Sequence, residues 1–501
     1  MKMLKPRKIE RVFLLFPPVR LYKETMKLVF PPLGVSYIAS VIRDEVEVQI
    51  MDAVAEGFYN EQELDDDFLI YGSSYQEVIQ RIREFKPQIV GITCLFSSVF
   101  PVVRELCRRI KELDQDIITI TGGTYPTFCA QELLSRDQDL DLIVLGEGEY
   151  TMREVIRAFR GEGELAEIDG LAWRENGEVR INPKTRWIEN LDEIPFPARD
   201  LLPMDLYPKI IVPHSFSAKE KLNTPMITSR GCPARCTFCS SSRFWGYRYR
   251  WRSPENVLDE IGELIEKWGI REIQFEDDNL TANKSRAKKI FQGIIDRGYK
   301  ISFNLPNGVA VWTLDEEMID LMKRAGCYEV TLAFESGSQY VLDHIIKKPL
   351  NLEKAKEVTR LIHQAGIRTN AFYIFGFPGE TKEQMRQTFK FAQEVKTNMA
   401  YFFIANPLPG TELYERAKQE GLLPDDFNFE NLTFTRYIYK PKYFKAREIE
   451  RMAGREFVKY YFRAFFRHPW LLFKKSFVDL FIRRPRYTLG LIIRVWRRYL
   501  K

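Results

Sequence analysis

Three cysteines close together carry the first chemical signal, in the segment Ser229-Arg-Gly-Cys232-Pro-Ala-Arg-Cys236-Thr-Phe-Cys239. Thiolates spaced this way in one short loop can share a soft metal site. Structural zinc is the generic reading of close cysteines, but it wants four ligands. No second cysteine pair exists, and the four histidines (His214, His344, His363, His468) lie outside the triplet. Three thiolates suit instead an iron–sulfur cube whose fourth iron stays open for a substrate or cofactor. The remaining cysteines, Cys94, Cys107, Cys129 and Cys327, sit scattered in apolar surroundings and read as small core residues. Seven cysteines in so long a chain do not describe a disulfide framework.

The elements that must position this loop show up as alternating apolar runs and helical periods. Strands are expected over residues 225–228, 272–276, 301–304, 329–334, 369–375 and 401–404, with helices between them. Six successive βα units suggest a partial (β/α)6 barrel over 224–430. Earlier, strand-like runs at 11–16, 46–51, 88–93, 117–121 and 142–145 alternate with helical segments. They predict an open, doubly wound, Rossmann-like sheet over 1–166, with ligands at the carboxyl ends of its strands. Residues 167–223 read as a linker with a hairpin turn at Glu175-Asn-Gly177, and 431–501 as a helical, basic C-terminal region. The fold class is α/β.

The cysteine loop, with Phe238 before its last cysteine, resembles the radical S-adenosylmethionine superfamily. The resemblance implies that Cys232, Cys236 and Cys239 hold a [4Fe-4S] cluster. Its open iron would chelate S-adenosylmethionine, whose reductive cleavage yields a 5′-deoxyadenosyl radical. Phe238 would lie near the adenine. In Phe275-Glu-Asp-Asp-Asn279, Glu276 and Asp277 would meet the methionine amino group. In Phe334-Glu-Ser-Gly-Ser338, Glu335 would accept the ribose hydroxyls with help from Ser336. Gly379, in Gly376-Phe-Pro-Gly-Glu380, and the turn Asn406-Pro-Leu-Pro-Gly-Thr411 would let backbone approach the ligand. The resemblance covers residues 224–422.

The N-terminal sheet lacks a GxGxxG turn after its first strand, where Phe16-Pro-Pro18 stands instead. Thr93 and Leu95 after the third strand, and Gly122-Gly-Thr124 after the fourth, resemble the cobalamin-binding fold. There a small hydroxyl residue contacts the nucleotide tail and a glycine pair opens a slot for it. Gly146 and Glu147, in Leu145-Gly-Glu-Gly-Glu149, join this set, as do Phe30-Pro-Pro-Leu-Gly34 and Pro195-Phe-Pro-Ala-Arg199. No histidine precedes His214, so this domain offers cobalt no imidazole.

Together the two resemblances imply a cobalamin-dependent radical S-adenosylmethionine enzyme, similar to the class B methyltransferases and the anaerobic magnesium-protoporphyrin monomethyl ester cyclases. The expected reaction is oxygen-sensitive methylation of an unactivated carbon of a small hydrophobic substrate, through methylcobalamin. The alternative is radical oxidative cyclisation or rearrangement of a tetrapyrrole or lipid-like substrate. A non-catalytic cobalamin or Fe–S sensor is a third. An electron donor such as flavodoxin or ferredoxin is implied. No residue is marked as steering hydrogen abstraction.

The net charge of +6 gathers in the tail, where residues 469–501 carry nine Lys/Arg against Asp479 alone. The rest of the chain is near neutral, which argues against a nucleic-acid footprint. Leu489, Ile492, Ile493, Trp496 and Leu500 recur at helical spacing with Arg494, Arg497, Arg498 and Lys501 to one side. That pattern suits an anionic membrane surface. No apolar run is long enough to cross a bilayer, and Val12–Phe16 reads as a strand rather than a secretory leader. The expected place is the cytoplasm, with peripheral contact at the inner face of the membrane.

Overall fold

The computed structural model describes residues 7–23, 25–210, 218–433, 436–440 and 442–467. It divides into two compact units. The first is built on β1 (Arg11–Phe16), whose Val12, Phe13, Leu14 and Leu15 are buried. A strand apolar on both faces belongs inside a parallel sheet. β1 pairs in parallel with β2 (Glu47–Asp52) on one side and β3 (Ile89–Thr93) on the other. β4 (Ile118–Gly122) and β5 (Leu142–Val144) continue the parallel run. The hairpin β6 (Leu171–Glu175) and β7 (Glu178–Asn182) adds antiparallel strands at the edge. Its turn places Asn176 and Gly177 at φ of 50° and 89°, as a two-residue Asn-Gly hairpin requires.

The sheet order is β7-β6-β5-β4-β3-β1-β2. The chain reverses direction across the sheet between β1 and β3, the switch point of a doubly wound fold. The helices α1 (Leu33–Ile42), α2 (Tyr75–Phe85), α3 (Phe100–Leu113), α4 (Thr124–Arg136) and α5 (Glu149–Phe159) connect the strands. A Ser74–Glu77 capping box starts α2.

The first unit gathers more chain than the sequence suggested. Residues 167–210, within the expected linker of 167–223, supply β6 and β7 and pack here, as do Arg243–Arg252 from within the expected barrel and Asn428–Asn431 from across its expected end. Specific contacts recruit them. Arg250 pairs with buried Glu147, Gly246 packs against the Trp187 ring, and Glu430 receives Arg104 and Arg136.

The second unit is a six-stranded parallel sheet in sequence order: β8 (Asn223–Met226), β9 (Glu272–Phe275), β10 (Ser302–Val309), β11 (Cys327–Glu335), β12 (Arg368–Phe375) and β13 (Met399–Ile404). β8 and β13 do not pair with each other, so the barrel is open. The connecting helices are α6 (Pro254–Trp268), α7 (Lys284–Asp296), α8 (Glu316–Arg324), α9 (Leu352–Gln364) and α10 (Lys382–Val395), with α11 (Glu412–Gln419) after β13. Ser253 caps α6 ahead of Pro254, and Gly269 ends it at φ 65°. Phe275, Phe291 and Phe303 pack at 5.4 Å centroid spacing beneath the sheet. A last helix, α12 (Ala446–Arg467), covers the β13 edge, where Tyr461 donates to the Ala400 carbonyl at 3.0 Å.

One buried acid makes the first unit sensitive to pH. Asp52 ends β2, caps the short helix Ala53–Glu56 by accepting from the Val54 and Ala55 amides, and accepts the Tyr207 hydroxyl at 2.8 Å. Burial outweighs these bonds and pushes its pKa from 3.8 to about 7. The folded state therefore holds this proton more tightly than the unfolded chain does. Its contribution to stability falls as pH rises from about 4 to about 7 and is flat above that. Urea titrations of wild type and Asp52→Asn across that window should show the dependence reduced by one proton in the variant.

Candidate functional site

The carboxyl ends of the barrel strands converge on the cysteine loop. The chain leaves β8 through Thr228, Ser229 and Arg230 and turns at Gly231, φ 87°. Buried Asp277, just past β9, accepts from the Thr228 amide at 3.2 Å, the Thr228 hydroxyl at 2.8 Å and the Ser229 hydroxyl. Asp278 accepts the Gly231 amide at 3.2 Å. Arg286 of α7 donates to the Thr228 carbonyl at 2.7 Å. Two further anchors hold the middle of the loop. The Thr237 amide and hydroxyl donate to the Ile346 and Ile345 carbonyls, both at 2.9 Å, in the turn after β11. The Leu413 amide, opening α11, donates to the Thr237 carbonyl at 2.8 Å. The loop is thus fastened to the ends of β9, β11 and β13.

Cys232, Cys236 and Cys239 are half-buried within that frame. The Ala234 amide bonds the Cys232 sulfur and the Ser241 amide bonds that of Cys239. Burial raises all three thiols, Cys236 to about 11 and Cys239 to about 12. Metal binding here must displace protons. The buried Lys348 ammonium faces Cys232 and Cys236, pairs with Glu335 at 2.9 Å, and lies 5.6 Å over the Trp312 ring. Burial alone would lower the lysine's pKa, but Glu335 and the sulfurs outweigh it. Backbone donors and a fixed cation around three thiols fit an anionic cluster. Among the described residues, no three His, Cys, Asp or Glu converge as ligands of a single ion would.

The other barrel residues singled out from sequence divide by task. Phe238 meets Phe377 of the turn after β12, with centroids 6.1 Å apart. Glu335 sits at φ 64°, a left-handed conformation rare for a side-chain-bearing residue, and is held there by Lys348. Asp277 is consumed in fastening the loop. Burial and neighbouring Asp277 push Glu276 up to about 8, against the Asn307 hydrogen bond. Ser336 is buried and engaged with Thr388 at 3.1 Å and the Ser338 amide, so it shapes the turn rather than facing a ligand. Gly379, φ 86°, forms the turn closed by Glu380, whose Oε2 accepts the Gly376 and Phe377 amides. Glu380 Oε1 and Asn406 Oδ1 are buried without a protein partner at the ends of β12 and β13. Acceptors left open there suit the amine and hydroxyl donors of S-adenosylmethionine.

The face of the sheet opposite the helices is aromatic. Tyr373 and Phe402 pack outward against Phe391, Phe389 and Tyr460. Strand alternation turns Phe372, Tyr401 and Phe403 inward, where they lie half-buried with Phe372 5.6 Å from Tyr401 and 5.7 Å from Phe403.

In the first unit, the carboxyl edge of the sheet carries Thr93, then Leu95 and Phe96, 46% and 61% exposed. Large apolar side chains left open beside a glycine turn fit an extended ligand such as cobalamin laid over the strand ends. The glycine pair also answers to the fold itself. Gly123 stands at φ 119°, and a Cβ there would lie 2.4 Å from the Cys94 carbonyl oxygen. A Cβ on Gly122 would lie 3.3 Å from that of Val144. Thr124 opens α4, and Thr127 links the Gly123 carbonyl to the Gly146 amide. Gly146, φ 66°, faces Lys184 and Trp187. Glu147 is not presented to a ligand: it is buried, receives Arg250 at 2.8 Å and accepts the Ile188 amide at 3.0 Å. Its ion pair locks the loop after β5.

The two units thus define a chain with a ligand-binding doubly wound sheet and an open barrel presenting three thiols. Residues 226–392 match the radical SAM superfamily, and residues 19–156 match the B12 binding domain. The chain is 33% identical to cytidylyl-2-hydroxyethylphosphonate methyltransferase of Streptomyces wedmorensis, covering 90% of this chain and 89% of that protein. It is 27% identical to anaerobic magnesium-protoporphyrin IX monomethyl ester cyclase of Rubrivivax gelatinosus, over 92% and 81%. The fold matches that of the radical S-adenosylmethionine methyltransferase TsrM from Kitasatospora setae, solved with cobalamin and a [4Fe-4S] cluster bound. That match has a TM-score of 0.66 at 20% identity and covers 84% of this chain and 80% of that one. The chain belongs to the family of cobalamin-binding radical S-adenosylmethionine enzymes. Its cofactors are a [4Fe-4S] cluster, S-adenosylmethionine and cobalamin.

Sequence reading missed Lys348, Arg286 and Arg250. Lys348 follows Glu335 by thirteen positions in a run, Ile346-Lys-Lys-Pro349, that looks like an exposed turn. Only the fold brings it to the thiols.

Asp277→Ala removes the acceptor for three donors and the counter-charge of Arg286. It should cost about 2–4 kcal/mol, measured by chemical denaturation, and iron retained after reconstitution should fall with it.

Proposed function

We propose that this enzyme transfers a methyl group to an unactivated carbon of a small hydrophobic substrate. The observation that carries the reading is the cysteine loop fastened at the mouth of an open, aromatic-lined barrel, in a chain that also has a cobalamin-binding sheet. When bound, the cluster and cobalamin supply one-electron cleavage of S-adenosylmethionine and methyl carriage. The protein's own part is to hold and to exclude. Cys232, Cys236 and Cys239 would hold the cluster, with Lys348 and the loop amides offsetting its charge. Glu276 would meet the ammonium and Glu335 the ribose of S-adenosylmethionine, beside Phe238. Phe372, Tyr401 and Phe403 offer an apolar wall for the substrate and keep water from a reactive carbon. Thr93, Leu95, Gly122, Gly123, Thr124 and Gly146 form the edge on which cobalamin would lie.

The activity requires a small-molecule substrate and a reductant; we read the reductant as a flavodoxin or ferredoxin. No described helix is long and apolar enough to cross a membrane. The basic tail pattern at 489–501, outside the described residues, supports peripheral contact with the cytoplasmic face. The similarity to the magnesium-protoporphyrin cyclase favours one second reading, oxidative ring closure without methyl transfer.

The test is anaerobic reconstitution with iron, sulfide and hydroxocobalamin, followed by S-adenosylmethionine, reductant and a panel of hydrophobic metabolites. Methyl transfer predicts that 5′-deoxyadenosine and S-adenosylhomocysteine accumulate together. The Cys232→Ala, Cys236→Ala, Cys239→Ala variant should make no 5′-deoxyadenosine. Deoxyadenosine with product but without S-adenosylhomocysteine would sink methyl transfer in favour of cyclisation.

A further inference from the structure

α12 buries Ile449, Ala453 and Tyr460, so its helical period turns the opposite face to solvent. That outer face carries Arg447, Arg451, Arg455 and Lys459 at four-residue spacing, all exposed. Among them stand Val458 and Phe462, 39% and 65% exposed. Parallel to this stripe, Lys382, Arg386 and Lys390 of α10 line the far wall of a shared groove of about 1040 Å³. Eight Lys or Arg line the groove against two Glu, over an apolar floor that includes Phe389 and Met452.

Part of this charge is paired, Lys382 with Glu448 across the groove and Lys459 with Glu456, and the basic side chains remain in excess. A charged surface alone would serve an acidic protein, but this one also exposes the apolar surface of Val458 and Phe462. A surface offering anionic groups and hydrocarbon at the same depth satisfies both. α12 runs along the β13 edge of the sheet. Its start packs where Ile449 approaches Gly376, at the carboxyl end of β12. Its later turns lie where Tyr460 reaches the Thr397 hydroxyl at 3.0 Å, just before β13. The basic face therefore runs from the carboxyl ends of the strands towards their amino ends. Beyond α12 the sequence continues the same character, with nine Lys/Arg against one acid over 469–501.

We infer that the α10–α12 face docks on an anionic phospholipid bilayer, with the basic side chains on headgroups and Val458 and Phe462 at the acyl boundary. The inference rests in part on the peripheral-membrane reading of the tail, but assigns the contact to a different, folded surface. Such docking would place the enzyme beside membrane-dissolved hydrophobic substrates.

Full-length protein is sedimented with phosphatidylcholine vesicles, with and without one-third phosphatidylglycerol. Binding is expected only to the anionic vesicles and should weaken with salt. Full-length Lys390→Gln, Arg447→Gln, Arg455→Gln should lose roughly a hundredfold in affinity, with an unchanged circular dichroism spectrum. Phe462→Ser should lose severalfold at equal charge. If the groove variant binds like wild type while Arg494→Gln, Arg497→Gln, Arg498→Gln does not, the tail alone meets the membrane and the inference is overturned. If wild type fails to bind, both the groove and the tail contacts are overturned. Weakened binding of reduced flavodoxin by the groove variant, with vesicle binding intact, would overturn it in favour of donor docking.

Discussion

A single buried carboxylate, Asp277, sets the geometry on which the chemistry of the barrel depends. Taking a carboxylate out of water is costly, and its pKa is raised by burial against the pull of Arg286, Ser229 and Thr228. The cost is offset because the side chain gathers the amide and hydroxyl of Thr228 and the hydroxyl of Ser229 onto one group. That knot fixes the chain just after β8, with Ser229 three residues before Cys232. Asp278, Ile345, Ile346 and Leu413 then fix the rest of the loop from other strand ends. A cluster site built this way is arranged before its metal arrives, which limits the ordering that binding must supply.

Buried ion pairs do the corresponding work on charge. Lys348 and Glu335 satisfy one another in the barrel's interior, and the lysine also faces two of the thiols. Breaking such a pair by removing one partner is far more damaging than never having had it. In the first unit, Glu147 and Arg250 play the same part for the loop after β5, with the Trp187 ring 5.4 Å from the guanidinium. Both pairs couple residues far apart in sequence, 13 positions in one case and 103 in the other.

That separation marks the limit of what could be read from the chain. Most of the parallel strands of the two units were legible as short apolar runs between turn residues; β8, Asn223-Thr-Pro-Met226, is not such a run and lies two residues before the expected 225–228. The Asn176-Gly177 hairpin was legible because its backbone angles demand those residues. The cysteine spacing announced its own chemistry. Roles that depend on packing were not legible. Asp277 and Glu276 are adjacent acids, and only the fold shows that it is Asp277 that fastens the loop. Glu147, expected at a ligand, is consumed by Arg250. Gly123 was read as making room for a ligand, yet its missing side chain is first needed by the Cys94 carbonyl. Lys348 had no periodic or spacing signal at all.

The central claim is that three thiolates hold a four-iron cube with one iron open to S-adenosylmethionine. Electron paramagnetic resonance of the anaerobically reconstituted, reduced protein tests it most directly. A [4Fe-4S]⁺ signal that changes shape when S-adenosylmethionine is added is the expected result. A folded protein that takes up zinc in place of iron, or a cluster signal indifferent to S-adenosylmethionine, would contradict it.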